Sequence, residues 1–107
     1  MQQQIKGIPG SAGIAKGTAK IILSLGEIKN FRKGDILVTP ATSPTWTPII
    51  HTASAVVTNV GGALSHAAIV CREYGIPAVV GTTNATKIIK NNQQIQVDGS
   101  KGIITLF

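Results

Sequence analysis

Residues 55–81 constrain the fold more than any other stretch of the chain. Residues 55–58 are a short apolar run that reads as a buried strand, and residues 59–64 read as a glycine-containing loop. Ser65 then offers an N-cap side chain to a helix running from His66 to about Tyr74. Gly75 suits the left-handed position just past a helix end, and Pro77 stops the helix before residues 78–81 make the next strand. A strand, a helix and a strand joined this closely place the chain in the α/β class.

Elsewhere the pattern is mostly strand. Residues 15–25, centred on Ile21, Ile22 and Leu23, read as a strand, as does the apolar run 35–39. Three glycines and a proline make residues 7–13 an ordered loop. Residues 10–18 read as a turn, because they miss the G-K-[ST] register of a phosphate-binding loop and lead into a strand. Residues 29–34 are a polar, basic connection. Thr47-Pro48 resembles an N-cap followed by a first-turn proline, which predicts a short helix over 48–53, with Trp46 packed nearby and His51 satisfying carbonyls at its end. Residues 86–90 suit one helical turn, and residues 94–97 and 102–107 pair as a hairpin around Asp98-Gly99-Ser100-Lys101. With no internal repeat or linker, residues 1–107 are expected to form one domain.

Composition narrows the function classes. The chain is 43% apolar with only 4% aromatic residues, so its core must be built from Ile, Val, Leu and Ala, and disorder is excluded. A single cysteine, Cys71, rules out an intrachain disulfide framework and a Cys-rich zinc module. The longest apolar run, 67–71, is far short of a membrane span, and no secretory signal is visible; a cytoplasmic location is expected. Lys and Arg outnumber Asp and Glu by 10 to 4. That balance suggests anionic partners, yet only Lys29, Arg32 and Lys33 cluster, and no aromatics interleave them as a nucleic-acid surface requires.

The candidate chemistry sits where the strand over 55–58 passes through Gly61 and Gly62 into the first helical turn, at His66. Glycines let a backbone approach a ligand closely, and the free N–H groups of a helix start make an anion site. The positive helix end also disfavours a charged imidazole, leaving a ring nitrogen nucleophilic. Once phosphorylated, the same side chain would hold its dianionic group beside those donors. Thr58 is placed to offer a hydroxyl to this site. A histidine in a first helical turn is most often a polar cap or a satisfied surface residue, so spacing alone leaves both readings open. Ser65-His66 is not a nucleophile–base pair, because adjacent helical side chains point about 100° apart, and the surroundings of Ser65 do not fit G-x-S-x-G. No pair among His51, His66, Cys71 and the acids has ligand spacing, so no metal site is expected. Cys71 reads as a buried small hydrophobe. Arg72 lies six residues from His66, about 240° around the axis, too far to clamp a phosphate there directly. A salt bridge or a partner contact is expected for Arg72 and Glu73.

The run Thr58-Asn59-Val60-Gly61-Gly62-Ala63-Leu64-Ser65-His66-Ala67-Ala68-Ile69-Val70-Cys71-Arg72-Glu73-Tyr74-Gly75-Ile76-Pro77-Ala78-Val79-Val80-Gly81 closely resembles the signature of the phosphohistidine swivelling domain. This is the mobile domain of PEP-utilising enzymes: phosphoenolpyruvate synthase, pyruvate phosphate dikinase, enzyme I of the sugar phosphotransferase system and rifampicin phosphotransferase. Residues 36–39 and 43–48 look most like the synthase and rifampicin-phosphotransferase branch, and the likeness spans about residues 7–107. It implies a swivelling β/β/α sandwich in which His66 is transiently phosphorylated, while Gly61, Gly62 and Ser65 match positions that shape the phosphate pocket. Leu64 departs from the pattern, standing where many relatives carry threonine, and Cys71 replaces the commoner alanine.

The resemblance also implies partners. In the large members this domain moves between a nucleotide-binding domain and a TIM barrel that binds phosphoenolpyruvate and Mg²⁺. Such a barrel needs about 250 residues alone, so the chain is expected to be a fragment or separate subunit of a larger enzyme. It would shuttle phosphate between an ATP site and a PEP/pyruvate (or other acceptor) site on partner domains, in cis or in trans. Mg²⁺ and ATP or PEP would sit on those partners and no cofactor on this chain, which is not a complete phosphotransferase alone. The +6 balance is then expected to form a mildly positive surface for docking near nucleotide and PEP sites. The alternative is a non-catalytic regulatory or polyanion-binding module that keeps the fold.

Overall fold

A computed structural model describes residues 2–107. β4 (Ile36–Thr39) and β5 (Ala55–Thr58) are buried along their whole length. Continuous apolar runs leave such strands no face for water, which suits the centre of a parallel sheet. β4 pairs in parallel with β5 and with the second half of β3 (Ile14–Ile21), and β5 pairs in parallel with β6 (Ala78–Val80). Antiparallel β2 (Ile8–Ser11) adds to β6. The first half of β3 pairs antiparallel with β7 (Gln94–Asp98), followed by β8 (Ile103–Leu106) and β1 (Gln3–Lys6). The order is β1-β8-β7-β3-β4-β5-β6-β2. Because β3 serves both halves and β1 leads straight into β2, the sheet folds over into two layers.

Ile5, Val38, Val57, Ile95, Val97 and Ile104 fill the space between the layers, with Ala85 of α3 (Ala85–Ile88) beside them. On the other face of the parallel layer lie α1 (Thr47–Ile50) and α2 (His66–Tyr74). Ile50, Ala67, Ala68 and Cys71 pack there with Leu37, Val56 and Val80. The small residues on the buried face of α2 let it lie close to the sheet. The result is the expected β/β/α sandwich.

α2 has the anticipated bounds. Ser65 caps it, its Oγ accepting from the Ala68 N–H at 3.5 Å, and Gly75 ends it at φ 69°. Trp46 is buried in the helix-side core, as expected. Other boundaries differ. Residues 7–13 are not simply a loop: they hold β2, an edge strand where Pro9 lacks an N–H that no partner needs. β1 went unanticipated because only Ile5 of it faces the core. The strand expected over 15–25 ends at Ile21, and Leu25–Asn30 winds into a 3-10 helix. The helix expected over 48–53 spans Thr47–Ile50 after a 3-10 turn at Pro44–Trp46. Thr47 is inside that helix and makes no cap. His51 closes it through its backbone N–H, bonded to Thr47 O at 3.0 Å, while its ring lies 4.2 Å from that of Tyr74. The turn expected over 86–90 begins one residue earlier, as α3.

The segment between β6 and α3 is tied to the end of β5. Thr82 donates to Thr58 O from its N–H at 3.1 Å and its hydroxyl at 2.9 Å. Asn59 brackets Thr86, donating to its hydroxyl at 2.8 Å and accepting from its N–H at 3.1 Å. Between these ties Thr83 adopts φ 78°, a left-handed conformation hostile to a β-branched residue, while its N–H donates to Asn59 O at 2.8 Å. Such strain costs about 1–3 kcal/mol, more than the 0.5–1 kcal/mol of extra backbone entropy a glycine loses. Thr83→Gly is therefore expected to stabilise the fold by about 1 kcal/mol, raising the thermal midpoint by about 4–8 °C. A lowered midpoint in a thermal melt would contradict this.

Candidate functional site

The parallel strands β4 and β5 end side by side at Thr39 and Thr58, and the loops that leave them meet over α2. From β5 the chain runs through residues 59–65 into the first turn of α2, placing half-buried His66 at its start. From β4 it runs through residues 40–46 into α1. The two loops converge on the imidazole. Thr42 Oγ1 lies 2.9 Å from His66 Nδ1, and Thr47 Oγ1 lies 3.4 Å from Nε2. A neutral imidazole has one N–H and one bare nitrogen, and a threonine hydroxyl can serve either.

Gly61 is at φ 114°, and a Cβ there would stand 2.9 Å from Ser65 Cβ, so the loop can take this path only with glycine. Gly62 instead borders open space, with nothing of the chain within 4 Å of where its Cβ would be. Among the described residues, none accepts a hydrogen bond from the N–H groups of Gly61, Gly62, Ala63 or Leu64. These donors and the first turn of α2 make a surface suited to an anion. No enclosed pocket forms among the described residues. The site is an open surface, and water would have to be excluded by something docking on it.

The structure brings Gly61, Gly62, Ser65 and His66 together as the sequence suggests. Thr58 is different: it is buried, and its hydroxyl donates to Val60 O at 2.7 Å. It shapes the loop from beneath rather than offering a proton to the site. Thr39, across from it in register, is buried with an unpaired hydroxyl. Of the salt bridge or partner contact expected for Arg72 and Glu73, no salt bridge forms among the described residues: Arg72 makes two bonds to backbone carbonyls, of Gly10 and Ala63, and Glu73 is exposed. Burial pushes the Cys71 thiol up to about 12 even beside the Arg72 guanidinium, as suits an inert core residue. No three His, Cys, Asp or Glu side chains cluster as metal ligands among the described residues.

Sequence reasoning missed Thr42 and Thr47, which lie 24 and 19 residues from His66 in a stretch with no periodic pattern. The basic cluster lies apart from the site. No Lys, Arg, Asp or Glu occurs from Ile36 to Cys71, the stretch that builds the site. Lys29, Arg32 and Lys33 precede β4, at the end of the parallel strands opposite His66. The flanks of the site are apolar instead, with Val60 59% and Leu64 85% exposed.

Residues 31–102 match the family described as PEP-utilising enzyme, mobile domain. The chain is 50% identical over 101 residues to phosphoenolpyruvate synthase of Aeropyrum pernix, covering 94% of this chain and 12% of that protein. It is 49% identical over 105 residues to rifampicin phosphotransferase of Bacillus cereus, covering 98% of this chain and 12% of that one. The chain thus spans about an eighth of the length of these relatives. A solution structure of an Enzyme I protein superposes with a TM-score of 0.63 at 31% identity, covering 74% of this chain and 33% of that chain.

Proposed function

The chain belongs to the PEP-utilising enzyme mobile-domain family and has its α/β swivelling fold, and on that premise we propose that it is a phosphoryl carrier working through a phosphohistidine at His66. One observation carries the reading: the His66 imidazole, held by Thr42 at 2.9 Å, opens α2 beside four loop N–H groups that lack acceptors among the described residues. In this reading Thr42 Oγ1 accepts the Nδ1–H, so the lone pair is on Nε2, where the Thr47 hydroxyl donates to it over a long 3.4 Å and must turn aside for Nε2 to attack. The Nε2–P bond forms as the P–O bond to the leaving group breaks, and the bonding pair departs with that oxygen. Nδ1 keeps its proton throughout, so the ring positive charge created by attack stays against the threonine oxygen. In the second transfer the acceptor oxygen takes the phosphoryl group and Nε2 recovers its lone pair. One difficult transfer becomes two easier ones.

The donor and acceptor sites belong to companion domains, in the same chain or separate. ATP and Mg²⁺ on one, and phosphoenolpyruvate or pyruvate on another, would supply the reacting groups and most of the charge stabilisation. Such substrates put the protein in the cytoplasm. Gly61, Gly62 and Ser65 shape the carrier's side of the phosphoryl site, and Thr58 supports it from below. Docking would rely on shape, apolar contact at Val60 and Leu64, and hydrogen bonding, because residues 36–71 carry no Lys, Arg, Asp or Glu and the Arg72 guanidinium at the loop is engaged with the Ala63 and Gly10 carbonyls.

Supplying a nucleotide-binding companion domain with ATP, or a barrel domain with phosphoenolpyruvate, should place one phosphoryl group per chain, labile in acid and stable in base. A label stable in acid, as a serine or threonine ester is, would overturn the reading, as would no label at all. Thr42→Val should slow labelling about five- to tenfold without unfolding the chain, the worth of one hydrogen bond of about 1–1.4 kcal/mol in the transition state. Unchanged kinetics would show that Thr42 does not orient the ring.

A further inference from the structure

Arg72 lies in the last turn of α2, yet its guanidinium reaches back to the loop that precedes the helix. Nη2 donates to Ala63 O at 2.7 Å and Nη1 to Gly10 O at 2.8 Å. One side chain therefore joins α2, the site loop and β2 through two short, charge-assisted bonds. The Gly10 bond matters because the guanidinium is planar: anchored there, its other arm has a defined direction. No cis peptide occurs among the described residues. In the trans Ala63–Leu64 peptide the C=O and the N–H point in opposite directions. Holding Ala63 O toward Arg72 turns the Leu64 N–H away from it. Arg72 and His66 are separated by about 240° around α2, or 120° the shorter way, so the side away from Arg72 is the side nearer His66. That N–H has no acceptor among the described residues.

We propose that Arg72 is a positioning residue that presents the Leu64 N–H to the phosphoryl group on His66. The inference rests on the carrier reading above. It accounts for leucine at a position where threonine is expected: the side chain is 85% exposed, and the loop uses the backbone donor instead. It also gives Arg72 a role that uses both of its bonds, to the carbonyls of Ala63 and Gly10.

The test follows the Leu64 amide by NMR in the ¹⁵N-labelled chain, before and after His66 is phosphorylated with phosphoramidate, which needs no companion domain. The amide proton is expected to move downfield on phosphorylation. In Arg72→Ala that movement should disappear, and transfer to a companion domain should slow by about tenfold to a hundredfold, the usual cost of losing an outer-shell support. Added guanidinium ion should restore part of both, whereas a merely structural role would recover neither. A Leu64 amide unmoved in the phosphorylated wild-type chain overturns the proposal even if the variant fails to fold. An Arg72→Ala chain that keeps both shift and rate overturns it as well. Failure of His66 to accept a phosphoryl group, from phosphoramidate and from the companion domains alike, removes the carrier reading and this inference together. A labelled His66 beside a silent Leu64 removes only the inference.

Discussion

His66→Ala is expected to reduce acid-labile labelling to background while leaving the chain folded. The imidazole is half-buried at a helix start, and its recorded bonds are to two threonine hydroxyls. Its loss should therefore change stability by about 1 kcal/mol or less. No other side chain can take over. His51 lies at the end of α1 with its ring against Tyr74, exposed and without the loop donors. The Cys71 thiol is buried, and with its pKa pushed up to about 12 it carries almost no thiolate at neutral pH. Radiolabelling of wild-type and variant chains, alongside thermal melts, separates loss of the nucleophile from loss of the fold. Full labelling of a folded His66→Ala chain would move the chemistry to another residue.

Gly99→Ala is expected to be the most damaging single-methyl change in the molecule. Gly99 sits in the turn between β7 and β8, where its N–H donates to Gly13 O at 2.8 Å. A Cβ there would lie 1.8 Å from Ser11 O and 2.9 Å from the Ala78 nitrogen. Both obstacles are backbone atoms at the ends of β2 and β6, so no side-chain rotation relieves the clash. The hairpin tip would have to lift from the parallel layer. Overpacking of a well-ordered site costs about 1–3 kcal/mol, occasionally more, and the rigid obstacles put this case at the upper end. A loss of about 3 kcal/mol lowers the midpoint by about 12–24 °C in a domain of this size. A midpoint within about 2 °C of wild type would show that the turn yields far more readily than its contacts suggest.

The contrast between Gly99 and Gly61 shows what could be read without coordinates. Gly61 belongs to a local pattern, with a strand before it and a capped helix after, and its role followed from that pattern. Gly99 looked like an ordinary hairpin residue. Its constraint comes from Ser11 and Ala78, 88 and 21 residues away, which no window of sequence brings together. The same division runs through the site. Ser65, His66 and Gly75 obey helix-end rules that act over four or five residues, and α2 formed with the bounds those rules set. β2 was hidden because Pro9 and three glycines suggest a loop, whereas an edge strand beside β6 tolerates the proline.

By itself the sequence determined the α/β class, the glycine loop and the capped helix that opens on a histidine, and the signature that marks the family. These are local properties, written in propensities and spacings of a few residues. Only the tertiary structure decided which hydroxyls meet the imidazole, that Thr58 supports the loop from beneath, that Arg72 grips the loop carbonyl, and that Lys29, Arg32 and Lys33 lie at the other end of the strands from His66. Each of these depends on strands pairing across the chain, and the hydrogen bonds that resulted exist only once β4, β5 and α2 have packed together.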